Sequence, residues 1–328
     1  MPKPRVFVTR RVAAEALALV SRETDMELWA GDEPPPRSVM LEEARRSDGL
    51  LTMLTDRIDA ELLDTAPKLH VVSNMAVGYD NVQVPEATKR GVLIGTTPGV
   101  LTTTSAEFAF ALLLAAARRV VESEKFLRDG KWKTWNPGML LGRDLAGATL
   151  GIVGLGAIGV EVAKRARAFD MKVLYHSRTR KPEEEKQYGL QWAPDLPSLL
   201  RASDFVSLHV ALTPETRHLI GRDQLHLFRR DAILINTSRG GVVDQKALYQ
   251  ALKDGVIAGA ALDVAEEEPV PHHEPLLTLP NVLITPHIAS ATVATRTRMA
   301  VMAAQNLVAG LKGEPMPHCL NPEAVQHR

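Results

Sequence analysis

The sequence predicts an α/β protein built from two doubly wound parallel-sheet domains, and three observations support this fold class. The chain has 328 residues, more than a single hydrophobic core usually contains. Short runs typical of β-strands alternate with amphipathic segments of helical length, a pattern typical of parallel strands joined by crossover helices. A largely apolar helical segment, residues 104–119, separates two such sets of strands.

The elements follow in order along the chain. The first set of predicted strands occupies residues 6–9, 27–29, 49–53, 69–73 and 92–94. The apolar helix opens with TSAE, in which Thr104 has the position of an N-cap and Glu107 that of the glutamate in a capping box. The second set of strands occupies residues 150–153, 173–175, 205–208, 232–235, 259–262 and 282–285, and a second long helix follows and ends at Gly313.

This order predicts a discontinuous first domain. The helix after the last strand leads the chain back, so we expect residues 290–328 to complete a domain of residues 1–100. The second domain, residues 101–289, would then be inserted into the first.

Composition argues against several classes of function. The 39 Lys and Arg residues balance 39 Asp and Glu residues, so no net charge favours nucleic acid or a membrane surface as a partner. The longest apolar run, residues 108–117, is too short to span a bilayer. The single cysteine, Cys319, fits a reducing compartment, and Glu15 interrupts the apolar stretch that a signal peptide would need. We therefore expect a cytoplasmic protein.

A glycine-rich motif, GLGAIG, predicts a dinucleotide site. It directly follows an apolar strand and opens a helix, where glycines permit a tight turn and close approach to a pyrophosphate. The helix N-terminus supplies free amides for the phosphates. The spacing alone also occurs in ordinary glycine turns, but the strand–turn–helix–strand context predicts a Rossmann domain. Its expected cofactor contacts are Gly154, Leu155, Gly156, Ala157, Ile158 and Gly159.

The next predicted strand ends in a basic run, SRTRK, where an acid commonly binds the cofactor ribose. Hydroxyl and guanidinium groups suit a 2′-phosphate instead, so the sequence predicts NADPH as cofactor and NADH as a weaker one. The alternative is a solvated loop, because the acidic residues 183–185 follow and could compensate the charge. Arg178 is nearest the strand end; the predicted contacts are Ser177, Arg178, Thr179 and Arg180.

Three successive strands of the second set are followed by charged side chains. Arg239 follows one, Asp263 and the glutamates 266–268 follow the next, and His287 follows the last. Ligands bind at the carboxyl ends of strands in open parallel sheets. A guanidinium can bind a carboxylate through two hydrogen bonds, an imidazole can donate a proton near neutral pH, and a glutamate can stabilise the imidazolium. Together these groups predict reduction of a small keto acid beside a nicotinamide.

Each of these residues also has a structural interpretation. Arg239 could be an ion-pair partner, His287 a buried histidine with its hydrogen bonds satisfied, and any of three consecutive glutamates a solvated side chain. The residues alone do not decide which glutamate partners the histidine.

Four motifs, GIVGLGAIG, INTSRGGVVD, ALDV followed by EEEP, and TPHIAS, resemble the D-2-hydroxyacid dehydrogenase family, and the similarity extends along the whole chain. The resemblance implies a Rossmann cofactor domain inserted into a flavodoxin-like substrate domain. It implies that Arg239 binds the substrate, that His287 is the acid/base, and that Glu268, which precedes a proline, is the partner of the histidine.

The resemblance also implies further contacts. The backbone amides of Val77 and Gly78, in NMAVGYDN, would bind the substrate carboxylate, and Ser290 would orient the histidine or the substrate. The positions that match cofactor contacts of the family, the last of them at the nicotinamide carboxamide, are Thr104, Thr213, Pro214, Thr237 and Asp263.

Four other segments, VFVTRR, LLTMLTDRID, GKWKTWNPGMLLG and GLKGEPMP, resemble the branch of the family that reduces glyoxylate and hydroxypyruvate and prefers NADPH. This implies a small 2-keto acid as substrate and a homodimer whose contact arm contains Trp132 and Trp135. Two alternatives stay open: a dehydrogenase for a larger 2-keto acid, and a dinucleotide-sensing protein similar to the transcriptional corepressors of this fold. The adjacent His272 and His273 lie in a proline-rich loop without further ligands, so no metal site is predicted.

Overall fold

The computed structural model describes residues 2–327, and the chain divides into two compact units. One unit runs up to Leu101 and resumes at Ala291, and the other runs from Thr102 to Ser290. Each contains a sheet whose paired strands run parallel, which confirms the predicted fold class. Within the described residues, no helix combines the length and apolar character needed to cross a membrane.

The first unit contains a five-stranded sheet. Its strands are β1 (Arg5–Val8), β2 (Asp25–Leu28), β3 (Gly49–Thr52), β4 (Val71–Asn74) and β5 (Leu93–Gly95). The helices between them are α1 (Ala14–Glu23), α2 (Arg37–Arg46), α3 (Ala60–Thr65) and α4 (Val84–Lys89). The strand order β2-β1-β3-β4-β5 is that of flavodoxin-like domains.

The second unit contains a seven-stranded sheet. Its helices are α5 (Thr102–Ala117), α6 (Val120–Arg128), α7 (Ala157–Ala168), α8 (Pro182–Tyr188), α9 (Leu196–Ala202), α10 (Arg222–Leu225) and α11 (Gln245–Lys253). Its strands are β6 (Thr149–Val153), β7 (Lys172–His176), β8 (Gln191–Trp192), β9 (Phe205–Leu208), β10 (Ile233–Asn236), β11 (Gly259–Leu262) and β12 (Val282–Ile284). The order β12-β11-β10-β9-β6-β7-β8 reverses between β6 and β9, where Rossmann folds bind their ligands.

The C-terminal part of the chain completes the first unit. Helix α12 (Val293–Leu311) is capped by the side chain of Thr292 and packs on β3 and β4, where Ser73 Oγ donates a hydrogen bond to the Ala303 carbonyl at 2.8 Å. Beyond it, the Asn321 side chain accepts a 2.8 Å hydrogen bond from a backbone N–H of β5.

The sheet of the second unit is covered by apolar side chains on both faces. Along β10, Ile233 and Ile235 belong to one hydrophobic cluster, which includes α5 and α7, while Leu234 belongs to another, which includes α9 and α11. This alternation follows from the two-residue repeat of a strand. The strands are therefore fixed within the core, and the loops at their carboxyl ends start from defined positions.

The predicted capping box was wrong, and one strand was missed. Helix α5 begins at Thr102, so Thr104 lies inside its first turn and is not the N-cap. Glu107 does not reach back to the helix start; its carboxylate accepts a 3.1 Å hydrogen bond from Arg165 of α7. The edge strand β8 was not predicted, because its two exposed residues are too few to show a periodic pattern.

Candidate active site

The three glycines of the turn after β6 differ in the space around them: two are closely packed and one is open. Gly154 has φ +95°, and a Cβ atom there would lie 2.7 Å from the His209 carbonyl oxygen. A Cβ on Gly159 would lie 2.4 Å from the Gly154 carbonyl oxygen, whereas a Cβ on Gly156 would meet no protein atom within 4 Å. The surface at Gly156 and the N-terminus of α7 therefore leave room for a pyrophosphate, and the predicted site residues fit a dinucleotide.

The remaining residues of this motif differ in exposure. Leu155 is buried in the core, Ala157 is exposed and Ile158 is half-buried. The Leu155 side chain therefore stabilises the unit, and only its backbone could contact a ligand.

The basic run after β7 contains two differently placed arginines. Both Nε and Nη2 of Arg180 donate 2.9 Å hydrogen bonds to the Glu185 carboxylate, and the guanidinium lies 5.2 Å from the centre of the Trp192 ring. Arg180 and the Tyr175 hydroxyl together lower the pKa of Glu185 to about 2. Arg178 is exposed and hydrogen-bonds no other residue between 2 and 327. Arg178 is therefore available to an anion, while Arg180 already has an acidic partner.

This loop is ordered by a hydrogen bond within it and by Tyr175 of β7. Ser177 Oγ donates to the Thr179 carbonyl at 2.6 Å. The Tyr175 hydroxyl accepts the Lys181 N–H at 2.7 Å and donates to Glu185 at 2.6 Å. Burial, with the hydrogen bond to Glu185, raises the pKa of Tyr175 to about 12. The hydroxyl therefore stays protonated at neutral pH and holds the C-terminal end of the basic run.

The loop after β9 contains two of the predicted cofactor contacts. The Thr213 N–H donates to Thr216 Oγ1 at 2.7 Å, and Pro214 is exposed. A hydrogen bond from Thr213, and more weakly the charge of Arg178, lower the pKa of Glu215. This loop thus presents an acid within electrostatic reach of the basic run.

The loop after β10 positions Arg239. Ser238 Oγ donates to Asn236 Oδ1 at 2.8 Å, and Asn236 Nδ2 donates to the Arg239 carbonyl at 2.9 Å. Arg239 is half-buried, and its Nη1 donates to the Ser238 carbonyl at 2.9 Å. Thr237 Oγ1 is buried without a hydrogen-bond partner among residues 2–327, which suits a group that receives a ligand.

Asp263 anchors the loop that contains His287. It is fully buried; Oδ1 accepts hydrogen bonds from Thr285 Oγ1 at 2.6 Å and from the Ile288 N–H at 2.9 Å, and Oδ2 accepts one from the Ala289 N–H at 2.7 Å. The Asp263 carbonyl also accepts the N–H of His287, a residue held at φ +54°. A non-glycine residue at positive φ needs such support. The predicted contact of Asp263 with a nicotinamide stays a prediction.

His287 and Glu268 form a close pair. His287 Nδ1 lies 2.7 Å from Glu268 Oε2, and the other carboxylate oxygen accepts the Ala265 N–H at 3.0 Å. Burial would raise the pKa of Glu268, but the hydrogen bond and charge of His287, the Ala265 N–H and the charge of Arg239 outweigh it, so this pKa lies below its usual value. An ionised Glu268 makes Nδ1 the donor and leaves Nε2 to exchange a proton with a ligand.

The structure thus brings Arg239, Asp263, Glu268 and His287 to the carboxyl ends of three adjacent strands, β10, β11 and β12. Ser290 is half-buried in the same unit, three residues beyond His287. A cation, an ionised carboxylate and an imidazole in this arrangement can bind a small anion and transfer a proton.

Val77 and Gly78 lie in the first unit, in the turn after β4. Neither donates its backbone N–H to an acceptor within residues 2–327, and Asn74 Nδ2 donates to the Gly78 carbonyl at 3.4 Å. Two free amides in one turn are suited to an anion.

Two features were missed from sequence. Glu266 pairs with His218 at 2.8 Å and with Gln245, not with His287. His209 follows β9 and lies 2.8 Å from Ser207 Oγ, and burial lowers its pKa to about 4. The spacing of two from Ser207 could have indicated that His209 shares its face of the strand.

Comparisons with known proteins identify a family model and relatives that resemble this chain. Residues 110–289 match the family model of the D-isomer specific 2-hydroxyacid dehydrogenase, NAD binding domain. The chain is 54% identical to a glyoxylate reductase of Korarchaeum cryptofilum over 327 residues, 99% of this chain and 98% of that protein.

Solved structures show the same fold. The TT0316 protein of Thermus thermophilus is 47% identical, with a TM-score of 0.90 over 96% of this chain and 99% of that one. An NADPH-dependent glyoxylate/hydroxypyruvate reductase of Sinorhizobium meliloti, in complex with NADP and malonate, is 33% identical, with a TM-score of 0.87 over 98% of each chain.

Proposed function

Because the chain belongs to the D-isomer specific 2-hydroxyacid dehydrogenase family, we propose that it reduces glyoxylate, hydroxypyruvate or both to the 2-hydroxy acid with NADPH. The observation that carries this proposal is the 2.7 Å contact of His287 Nδ1 with Glu268, at the strand ends that also carry Arg239. The similarity to glyoxylate reductases supports the choice of substrate.

In this reaction the cofactor, Arg239 and His287 each have a separate role. Bound NADPH supplies a hydride to the carbonyl carbon of the substrate. Arg239 binds the substrate carboxylate through its guanidinium and polarises the adjacent carbonyl. His287 donates the proton on Nε2 to the carbonyl oxygen and becomes neutral, while its Nδ1–H remains bonded to Glu268. The amides of Val77 and Gly78 are proposed as further ligands of the carboxylate.

The cofactor preference depends on the basic run. We assign the 2′-phosphate to Arg178, with the hydroxyls of Ser177 and Thr179 nearby, because Arg178 has no hydrogen-bond partner among residues 2–327. Arg180 is bonded to Glu185 and supports the loop. Of the two interpretations of the basic run, compensation by an acid therefore applies to Arg180, and phosphate binding is proposed for Arg178.

The experiment compares initial rates with NADPH and NADH for the wild type, Arg178→Ala and Arg180→Ala. We expect Arg178→Ala to lower kcat/KM with NADPH by about 10- to 100-fold, the value of a charge-assisted hydrogen bond, and to leave NADH nearly unchanged. Arg180→Ala is the matched control and should cost much less. Equal use of both cofactors by the wild type would contradict the phosphate assignment.

The substrate is tested in the same assay. Glyoxylate and hydroxypyruvate should be reduced faster than 2-keto acids with longer side chains. Faster reduction of a longer 2-keto acid would show that the proposed substrate is wrong, while the proposed type of reaction would stand. Dinucleotide binding without turnover of any 2-keto acid would instead favour a cofactor-sensing protein.

We also propose a homodimer, because α6 and the segment after it expose large apolar side chains. These are Val120, Val121, Leu127, Trp132, Trp135 and Leu141, with Trp135 73% exposed. Burial of such a cluster against a second copy would remove it from water. Sedimentation of a Trp132→Ser/Trp135→Ser variant should show more monomer than the wild type, whereas Val325→Ser, outside this segment, should not. A wild type that sediments as a monomer would contradict the proposal.

A further inference from the structure

We propose that Glu266 is a positioning residue, which fixes the loop of residues 264–269 so that Glu268 meets His287. The catalytic consequence rests on the function proposed above. Glu266 makes no contact with His287; it acts by joining its own loop to the loops that follow β9 and β10.

The first junction is with the start of α11. The Glu266 N–H donates to Gln245 Oε1 at 3.0 Å, and the Gln245 N–H donates to Glu266 Oε1 at 3.2 Å. Each residue thus binds the backbone of the other with its side chain. Such a reciprocal pair fixes both the position and the direction of the loop, as a capping box does at a helix start.

The second junction is a contact of backbone with backbone. A Cβ atom on Gly240 would lie 1.9 Å from both the carbonyl carbon and the carbonyl oxygen of Ala265, and 2.4 Å from the Glu266 nitrogen. Only glycine permits this approach. Gly240 directly follows Arg239, so the backbone next to the proposed substrate ligand lies against the loop that contains Glu268.

Any displacement at Glu266 passes directly to Glu268. The Ala265 N–H donates to Glu268 Oε1 at 3.0 Å, while Oε2 lies 2.7 Å from His287 Nδ1. The Ala265 N–H binds the Glu268 carboxylate, which faces His287, and the next N–H along the chain, that of Glu266, binds the Gln245 side chain. A shift of this backbone would change the Glu268–His287 distance.

The third junction involves the loop after β9. His218 Nε2 lies 2.8 Å from Glu266 Oε1, and the His218 N–H donates to the Gly241 carbonyl at 2.8 Å. This loop also contains Thr213 and Pro214, two proposed cofactor contacts. Glu266 therefore links three loops: the one proposed to contact the cofactor, the one that contains Arg239, and the one whose Glu268 contacts His287.

Glu267, in the same loop, is a solvated glutamate and differs from Glu266 in its contacts. It is exposed and makes no hydrogen bond or ion pair with another residue between 2 and 327. A Glu267→Ala variant is therefore the matched control for Glu266→Ala, with the same change of charge and size one position away. Exposed ion pairs contribute little to stability, so we expect both variants to melt close to the wild type.

The first readout does not require activity. The proton that bridges His287 Nδ1 and Glu268 should give a downfield imidazole N–H resonance in the NMR spectrum, identified by its loss in His287→Gln. We expect Glu266→Ala to shift or broaden this resonance, and Glu267→Ala to leave it in place. An unchanged resonance in Glu266→Ala would overturn the inference, whether or not the wild type reduces any keto acid.

The second readout is kinetic. Glu266→Ala should lower kcat by about tenfold or more, the cost of a small displacement of reacting groups, with KM for the keto acid within about twofold. Glu266→Gln keeps the oxygen that binds Gln245 and should restore most of kcat. Equal kcat values for Glu266→Ala and Glu267→Ala would overturn the inference, and so would a Glu266→Gln variant as slow as Glu266→Ala.

Discussion

The Nδ1 atom of His287 lies 2.7 Å from Oε2 of Glu268, and the local backbone holds each partner from behind. The Asp263 carboxylate binds the two amides that follow the histidine, and the Ala265 amide binds the glutamate. The geometry of the pair is therefore fixed by two short loops on adjacent strands, β11 and β12, and does not depend on free rotation of long side chains.

Removal of either partner should slow carbonyl reduction. His287→Ala removes the proton donor and should lower kcat by at least about 100-fold, the usual contribution of a positioned acid. Glu268→Gln keeps the size of the side chain but cannot stabilise an imidazolium, so it should also lower kcat, by less. Steady-state rates measure both effects, with circular dichroism as the control for folding. Near-normal turnover of His287→Ala would remove this histidine from the mechanism.

Alanine substitutions at Gly240 and at Gly241 should differ sharply in their effects on stability and activity. Alanine at Gly240 places its Cβ 1.9 Å from the Ala265 carbonyl, so backbone must move; we expect a loss of about 1–3 kcal/mol in unfolding free energy and more than tenfold in kcat/KM. Alanine at Gly241 meets the nearest atoms, in the Leu212 side chain, at 3.4 Å, an ordinary contact. Thermal unfolding and rates of both variants test this. Equal behaviour of the two variants would show that the close approach is not required.

Much of this site could be predicted from sequence because it depends on strand ends. The parallel strands β10, β11 and β12 are largely apolar runs that end one to three residues before Arg239, Asp263 and His287, and neighbouring parallel strands bring their ends to one edge. The basic run after β7 could be recognised in the same way, by its position relative to the glycine motif.

The rest depends on how loops pack, which no short pattern encodes. Three consecutive glutamates are equivalent in sequence, yet Glu268 meets the histidine, Glu266 meets Gln245 and Glu267 is exposed. The sequence placed the acidic residues 183–185 beside the basic run, but it did not decide that Glu185, in α8, would pair with Arg180 and leave Arg178 without an acidic hydrogen-bond partner among residues 2–327. These outcomes depend on the backbone path of the loops, which distant contacts determine.

The glycine motif gives a test that separates folding from cofactor binding. Alanine at Gly159 places a Cβ 2.4 Å from the Gly154 carbonyl oxygen and should cost about 1–3 kcal/mol of unfolding free energy. Alanine at Gly156 meets no protein atom within 4 Å, so stability should change by less than about 1 kcal/mol. The same Cβ would lie where we expect the pyrophosphate, so Gly156→Ala should weaken dinucleotide binding by about tenfold or more. Calorimetric titration measures the binding, and unchanged affinity would move the pyrophosphate away from this turn.

His209 should make the stability of the fold depend on pH in a defined window. Burial lowers its pKa from 6.5 to about 4, so between these values the unfolded chain binds a proton that the folded chain does not. The free energy of unfolding should therefore fall as the pH drops from about 6.5 to about 4, by on the order of 1–3 kcal/mol from this residue. His209→Gln keeps a polar group near Ser207 but does not titrate. Urea unfolding of both proteins at several pH values isolates the contribution, because all other groups are shared. The wild type should lose stability more steeply than the variant over this window, and parallel curves would mean that the imidazole is hydrated in the folded protein.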